Sequence, residues 1–289
     1  MKDSGLLFLD HFTELKVFGE GTEEFLQGQI ATDIKKIDEE NSSLSCICNA
    51  KGRVISSFIL LKDNSLVNSF SFIGPKETMI KTKKELSKYI AFYKSEMKIV
   101  NNSNLFACKK DLLRLLAEDL GFNKNNTQNY QGQYFLNFLN KNYVLIYATK
   151  ELAKVLKEIS TKNYKWNQDE ILSMNVEITE ETSEKYTPHE LNYPTTGRID
   201  FEKGCYTGQE IIARMQYRSK THPQLFNLVS KSEVLSNMVI TPKASDKKIG
   251  NVVSSSKLKD KYYFLVSLSK ELETKEIRIR ELDLDLKIN

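Results

Sequence analysis

No run of this chain is long and apolar enough to cross a bilayer as a helix, and the mean hydropathy of -0.43 agrees. The first residues, Met1-Lys2-Asp3-Ser4-Gly5, lead into a short apolar patch without the shape of a secretion signal. Cysteine is sparse: Cys46, Cys48, Cys108 and Cys205. Their spacing matches no zinc pattern, so no metal site is expected, and reduced thiols in a cytoplasmic protein are the simplest reading. Neither sign of charge is in large excess, with 42 Lys and Arg against 38 Asp and Glu. A formal +4 does not demand nucleic acid, though it permits an acidic ligand or partner. Glycine-rich phosphate loops, dinucleotide fingerprints and internal repeats are all lacking. What is present is ample material for a core, with 289 residues of which 40% are hydrophobic. That length suits one large domain or two to three small ones.

Leu15 to Phe18 reads as a short strand, and Thr22 as the cap of a short helix with Phe25 and Leu26 inward and Gly28 as its stop. Residues 44–50 alternate, with Leu44, Cys46, Cys48 and Ala50 on one face. Lys51-Gly52 turns the chain, and Arg53 to Leu61 returns. A strand from Ser65 to Ile73 follows, then a helix carrying Met79, Leu86, Ile90 and Tyr93, then a strand around Met97 to Val100. Further on, the pattern predicts a helix over Asp111 to Leu120 closed by Gly121, a hairpin over Tyr134 to Leu139 and Tyr143 to Tyr147, and a helix over Lys150 to Ser160. Asn167 with Glu170 marks another helix start. Residues 178–202 hold turn residues and little periodicity, which predicts a long loop of functional interest. Beyond Pro223 only short strands remain: Leu225 to Ser230, Ile249 to Ser254, Tyr262 to Leu268 and Ile277 to Arg280. The fold class expected is α+β, with a small β-barrel or sandwich as its C-terminal part.

The passage Lys203-Gly204-Cys205-Tyr206-Thr207-Gly208-Gln209-Glu210 says most about function. Thr207 and Glu210 have capping-box spacing, and Tyr206 and Ile211 stand at the staple positions. Cys205 then falls two residues before the N-cap, near the positive end of a helix dipole and close to Lys203; both favour a thiolate. The alternative is a small apolar cysteine packed beside a well-capped helix. Cys46, Cys48 and Cys108 read as core. A Cys–His nucleophile would need His11, His189 or His222 beside Cys205, which spacing alone does not show. Arg214 and Arg218 share a helix face and could hold a carboxylate or phosphate, or be solvated charge.

The octapeptide and its sequel Ile-Ile-Ala-Arg closely resemble the signature of the YgfZ family, folate-binding proteins related to the glycine-cleavage T-protein (aminomethyltransferase). Three further stretches resemble that family's motifs. They are Phe25-Leu26-Gln27-Gly28-Gln29-Ile30-Ala31-Thr32-Asp33-Ile34, Cys48-Asn49-Ala50-Lys51-Gly52-Arg53, and Leu191 through Gly197-Arg198-Ile199 to Phe201. The matches span residues 12–220. The resemblance implies a T-protein-like ring with three parts. An α+β folate-binding platform would occupy 1–44 and 161–222, a ferredoxin-like block 45–160, and an antiparallel β-barrel 223–289. It also implies tetrahydrofolate or a one-carbon derivative as ligand, held by Phe12, Asn49, Lys51, Lys203, Tyr206, Gln209, Glu210 and Arg214. Cys205 would be the reactive group at the rim of the folate channel. The implied partners are iron–sulfur enzymes or their assembly proteins, including enzymes that modify tRNA, with tRNA itself reached indirectly and no membrane involved.

The chain departs from the pattern at several points. Asn49 stands where the family commonly has Asp, Ile171 where a folate-stacking aromatic would align, and Tyr217-Arg218-Ser219-Lys220-Thr221-His222 replaces a glycine-containing turn. T-proteins place an acidic residue on the strand after the hairpin, to steer protons during aminomethyl transfer. Here that stretch is Val54-Ile55-Ser56-Ser57-Phe58, with hydroxyls only. The expectation is a folate-binding accessory protein that does not run the T-protein reaction. The rival is a folate-dependent aminomethyl or one-carbon transferase that uses another acid or base.

Overall fold

Strand Phe12–Gly19 shows how side-chain alternation builds this molecule. Leu15 and Val17 point to one face and are fully buried, while Phe12, Glu14 and Lys16 point to the other. The computed structural model, which describes residues 5–63, 66–100, 104–116, 126–130, 132–138, 143–162, 166–219, 222–269 and 275–288, places this strand in a five-stranded antiparallel sheet. The order is Ser43–Cys48, Val54–Asp63, Ser69–Pro75, Phe12–Gly19, Ser95–Val100. Helices α1 (Thr22–Gln27) and α2 (Lys76–Leu86) cover the Leu15 face with Phe25, Leu26, Met79 and Leu86. Thr22 does not cap α1. Gly21 takes the N-cap, where a Cβ would run into the Tyr93 carbonyl, and the Thr22 hydroxyl donates to Ser95 Oγ. Helix α2 is shorter than its apolar spacing suggests: it stops at Leu86, and Ile90–Tyr93 is a separate 3-10 turn.

A second sheet has the order Thr161–Lys162, Leu6–Phe8, Leu105–Lys109, Tyr143–Tyr147, Gln133–Leu136, Thr127–Tyr130, with only the first pair parallel. One face carries α3 (Lys110–Leu116) and α4 (Lys150–Ile159), with Leu113 and Ala153 against Phe106 and Val144. The predicted end of α3 at Gly121, and Leu139 at the end of the hairpin, lie outside the described residues. The other face meets the first sheet: Leu105, Leu136 and Leu145 pack with Phe12, Ile59, Leu61 and Ile73. The expected boundary at residues 44/45 falls inside strand Ser43–Cys48, and Leu6–Phe8 and Phe12–Gly19 hydrogen-bond to strands of the 45–160 stretch. Pairing between residues far apart in the chain draws these units, and sequence order hides it.

The third sheet lies wholly within Gln224–Ser230, Lys261–Leu268, Gly250–Leu258, Val239–Pro242, Glu276–Ile279 and Leu284–Lys287, in that order, all antiparallel. Val239–Pro242 and Leu284–Lys287 are too short and too mixed to stand out in the sequence. One face forms its own core from Ile240, Val252, Phe264, Val266, Ile277 and Ile279. A bulge between Val252 and Ser254 turns Val253 the other way, and with Leu265 it joins the core of the preceding chain. That core is largely the predicted loop. Residues 178–202 hold only two 3-10 turns, yet Ile178, Tyr186, Leu191, Tyr193 and Ile199 are buried. The loop is packed between α5 (Trp166–Leu172), the hairpin 48–54, α6 (Gln209–Arg218) and the third sheet.

Candidate functional site

The octapeptide meets two of the other motifs, residues 25–34 and 48–53, at one place. Lys203 is buried, and its ammonium donates to the carbonyls of Gln27 at 2.8 Å, Ile30 at 2.7 Å and Thr32 at 3.1 Å. It thereby satisfies the carbonyl of Gln27, the last residue of α1, and two carbonyls of the chain that follows the helix. Burial pulls the ammonium down to about 8, with the charges of Asp33 and Asp200 opposing that shift. Asp200 N–H donates to Ala31 O, its carboxylate pairs with Lys36, and Thr207 N–H donates to Gly28 O. The octapeptide is thus fastened along the first motif. Its contact with the hairpin is closer still. A Cβ on Gly208 would lie 2.5 Å from Asn49 O, and one on Gly52 would lie 3.0 Å from Ile211 Cβ. Both glycines have positive φ, +85° and +68°, so conformation and space each require glycine.

This packing corrects the predicted capping box. Helix α6 begins at Gln209, its N-cap is Gly208, and no side chain caps it. Thr207 lies one residue too early, because the chain has to bend at Gly208 to clear Asn49. Cys205 is therefore farther from the helix start than the box implies, and the Lys203 ammonium is engaged with carbonyls rather than with the thiol. Tyr206 is buried and shares a core with Ile212, while Ile211 leans on the hairpin turn.

Cys205 is the one exposed cysteine. Cys46, Cys48 and Cys108 are buried as expected. The hydrogen bond with Cys46, and burial, push the Cys48 thiol well up, and burial pushes Cys108 up to about 11. Among the described residues no histidine is bonded to Cys205. His189 pairs with Gln216 at 3.0 Å and stacks on His222. Of the other residues proposed from sequence, Lys51, Glu210 and Arg214 are exposed and Gln209 is half-buried. Asn49 braces its own hairpin and ties it to the long loop: its Oδ1 accepts from Lys51 N and Arg53 N, each at 3.0 Å, and its amide donates to Glu184. Lys220 lies outside the described residues.

Phe12 sits apart from these eight residues. It is buried and meets Trp166 edge-on at 6.1 Å, so it offers no open ring face to a ligand. Beside it opens a cleft of about 310 Å³, whose walls come from His11 and Pro75, from Glu170, Asn175 and Glu177, and from Val253 to Ser255. Trp166 Nε1 donates to Glu177 Oε2 at 3.0 Å behind that wall. Burial lowers the His11 imidazole below its usual range, against the raising influence of Asp10 and Glu77. A second cleft shares Glu181, Ser236 and Ser255 with the first and brings in Lys185, Lys257 and Tyr262. None of the residues proposed from sequence lines either cleft.

Comparison with known proteins places this geometry. No family model matches the chain. A "tRNA-modifying protein YgfZ" of Colwellia psychrerythraea is 30% identical over 242 residues, covering 81% of this chain and 74% of the relative. The chain belongs to the YgfZ family. A YgfZ protein of Pectobacterium carotovorum is 26% identical over 96% of this chain and 87% of its own length. In fold, the chain matches the glycine cleavage system aminomethyltransferase T of Bartonella henselae with a TM-score of 0.70, covering 98% of this chain and 84% of that one at 14% identity. The mixed α and β architecture is thus that of the T-protein.

Membership of the YgfZ family explains which residues the sequence singled out. The motifs mark the junction, where glycines and Lys203 lock three segments together. The cleft residues His11, Glu170, Asn175 and Glu177 lie outside the motifs. One signal pointed their way: the length of the loop that begins after Glu177.

Proposed function

We propose that the protein binds a reduced folate in the acidic cleft and acts as an accessory factor in tRNA modification, supporting iron–sulfur enzymes with Cys205 as the group presented to a partner. One observation carries this reading: the cleft is acidic at one end and continues past Glu181, Ser236 and Ser255 to Lys185 and Lys257. A reduced pterin offers amino and ring N–H donors, which suit Glu170 and Glu177. The glutamate tail of a folate is anionic, which suits the lysines. The donor set therefore fits the group. When bound, a folate would supply a carrier for one-carbon units. His11, kept neutral by burial, would leave the carboxylate end without a competing cation.

The ring of platform, ferredoxin-like block and barrel belongs to the same proposal, with the cleft as part of its central opening. In its support, the cleft draws its walls from residues 11–77, 167–181 and 236–255. The T-protein reaction is not part of it. Ser56 shares a hydrogen bond with Thr82, and Ser57 accepts from Ile178 N, so neither stands free where an acid would be needed.

Trp166 is the single tryptophan, and its indole touches the cleft wall through Glu177. Titration with 5-formyltetrahydrofolate should change its emission saturably, and Glu177→Gln should weaken binding about tenfold, roughly the worth of one charge-assisted hydrogen bond. Cys205→Ala should bind folate normally yet fail to restore iron–sulfur-dependent tRNA modification in cells lacking the protein. Absence of saturable binding would overturn the folate reading, and full restoration by the alanine variant would overturn the role of the thiol.

A further inference from the structure

One edge of the first sheet is open, and its charges match a copy of themselves. Among the described residues, strand Ser95–Val100 pairs with Phe12–Gly19 on one side and with no strand on the other. The opposite edge of that sheet is occupied: Ile30 bridges to Ile47, and Ala31 N–H donates to Cys46 O. In an antiparallel ladder the backbone groups of alternate residues point to opposite sides. The His11 carbonyl accepts from Lys76 N, and Gly19 N–H donates to Val67 O. Odd-numbered residues of this stretch therefore bond toward Ser69–Pro75. The even-numbered ones, Glu14, Lys16 and Phe18, face Val100, Lys98 and Glu96 across the other ladder. That leaves the N–H and C=O groups of Ser95, Met97 and Ile99 aimed at the open edge.

The side chains of the strand divide in the same rhythm. Met97 and Ile99 pack against the core beneath α1 and α2, while Glu96 and Lys98 are exposed. Lys94, just before the strand, pairs with Glu20, but neither Glu96 nor Lys98 has an ion-pair partner among the described residues. Charge of one sign keeps an open edge single, because it repels its own image. This edge carries both signs, two residues apart. Antiparallel pairing with a second copy, centred on Met97, sets Glu96 of each chain against Lys98 of the other. Met97 then meets Met97, and Ser95 meets Ile99, through the outward backbone groups. Both charge pairs fall at positions without a backbone hydrogen bond, where opposed side chains stand closest. Apolar surface lies at the Ser95 end as well. Phe92, three residues before the strand, is 83% exposed, and Val67, bonded to the Gly19 that faces Ser95, is 67% exposed.

We propose that Ser95–Val100 is the interface of a symmetric dimer, which joins two copies of the five-stranded sheet edge to edge. The octapeptide packs beside Cys48, on the edge strand farthest from this one, so both Cys205 thiols stay open in the dimer. A contact along six residues is small, so the dimer is weak and fills only as concentration rises. It stands independently of the folate reading, because its test uses no ligand.

The test is sedimentation velocity of the full chain over a concentration series. The parent should shift from monomer toward dimer. Glu96→Lys and Lys98→Glu should each weaken association about tenfold, since each turns two attractive cross-strand pairs into repulsive ones. The double variant should associate like the parent. An equimolar mixture of the two single variants should do so too, because their reversed charges complement each other. Both positions are exposed, so all variants should melt close to the parent. The rate at which a thiol reagent modifies Cys205 should not change as the dimer forms. A parent that stays monomeric would overturn the proposal and leave the edge to a strand of another protein. Association that ignores both single reversals, or that the mixture fails to recover, would overturn it by placing the contact elsewhere. Protection of Cys205 on association would do the same.

Discussion

Single residues at the motif junction act through contacts that their types alone do not announce. Lys203 resembles an activator of Cys205 in sequence, yet three carbonyls hold its ammonium. Lys203→Met should lower stability by about 2–4 kcal/mol, because it strands buried acceptors; urea unfolding measures this. Gly208→Ala should be at least as damaging, since it meets both a positive φ and the Asn49 carbonyl. Cys205→Ser, at an exposed position, should stay within about 0.5 kcal/mol of the parent. A thiol reagent should modify one cysteine in the native protein and all four after unfolding. His189 adds a pH dependence. Burial lowers its imidazole below the ordinary 6.5, outweighing the raising effect of Gln216. Above 6.5 the ring is neutral whether the chain is folded or not. Below it, the unfolded chain takes up the proton more readily, so stability falls as pH drops through the lowered folded value. His189→Gln should flatten that slope, read as urea midpoints between pH 7 and pH 5, while His11 acts in the same direction and leaves part of it.

Elements were legible where period and burial agree. Strand Phe12–Gly19 alternates about Leu15 and Val17, strands Val54–Asp63 and Lys261–Leu268 stand out as apolar runs that are buried almost throughout, and α4 carries both its periodic apolar face and its Thr149 cap. Helix starts were read less well, for a steric reason. Thr22 and Thr207 are good capping residues placed next to glycines that had to occupy the N-cap themselves, one against Tyr93 and the other against Asn49. No local rule foresees a carbonyl arriving from elsewhere in the chain. The site shows the same division. The motifs, with Cys205 among them, could be read from residue order, though not the exposure of that thiol. The acidic cleft could not, since its walls come from three segments that only the tertiary fold brings together.

At the scale of the whole molecule, the third sheet closes the core that the loop begins. Val253 and Leu265 fill the cluster around Tyr193 and Ile171, and Tyr186 OH donates to Asn237 and to Val252 O. A fragment ending at residue 222 would expose that surface. It should lose the cooperative thermal transition and bind a hydrophobic dye, whereas the full chain should unfold in one step; circular dichroism and dye fluorescence separate the two. The fold likeness to aminomethyltransferase T covers 98% of the chain, so no described sheet is an appendage to it.

The anchoring of the octapeptide has a consequence for partners. Lys203 is pinned at one end, while Tyr206 is buried and Thr207 bonded at the other, so only Gly204 and Cys205 span the gap between fixed points. A thiol on so short a bridge has few orientations to lose when another molecule closes over it. Encounter then sacrifices little disorder, and even a small contact area around Cys205 can hold a partner long enough for chemistry.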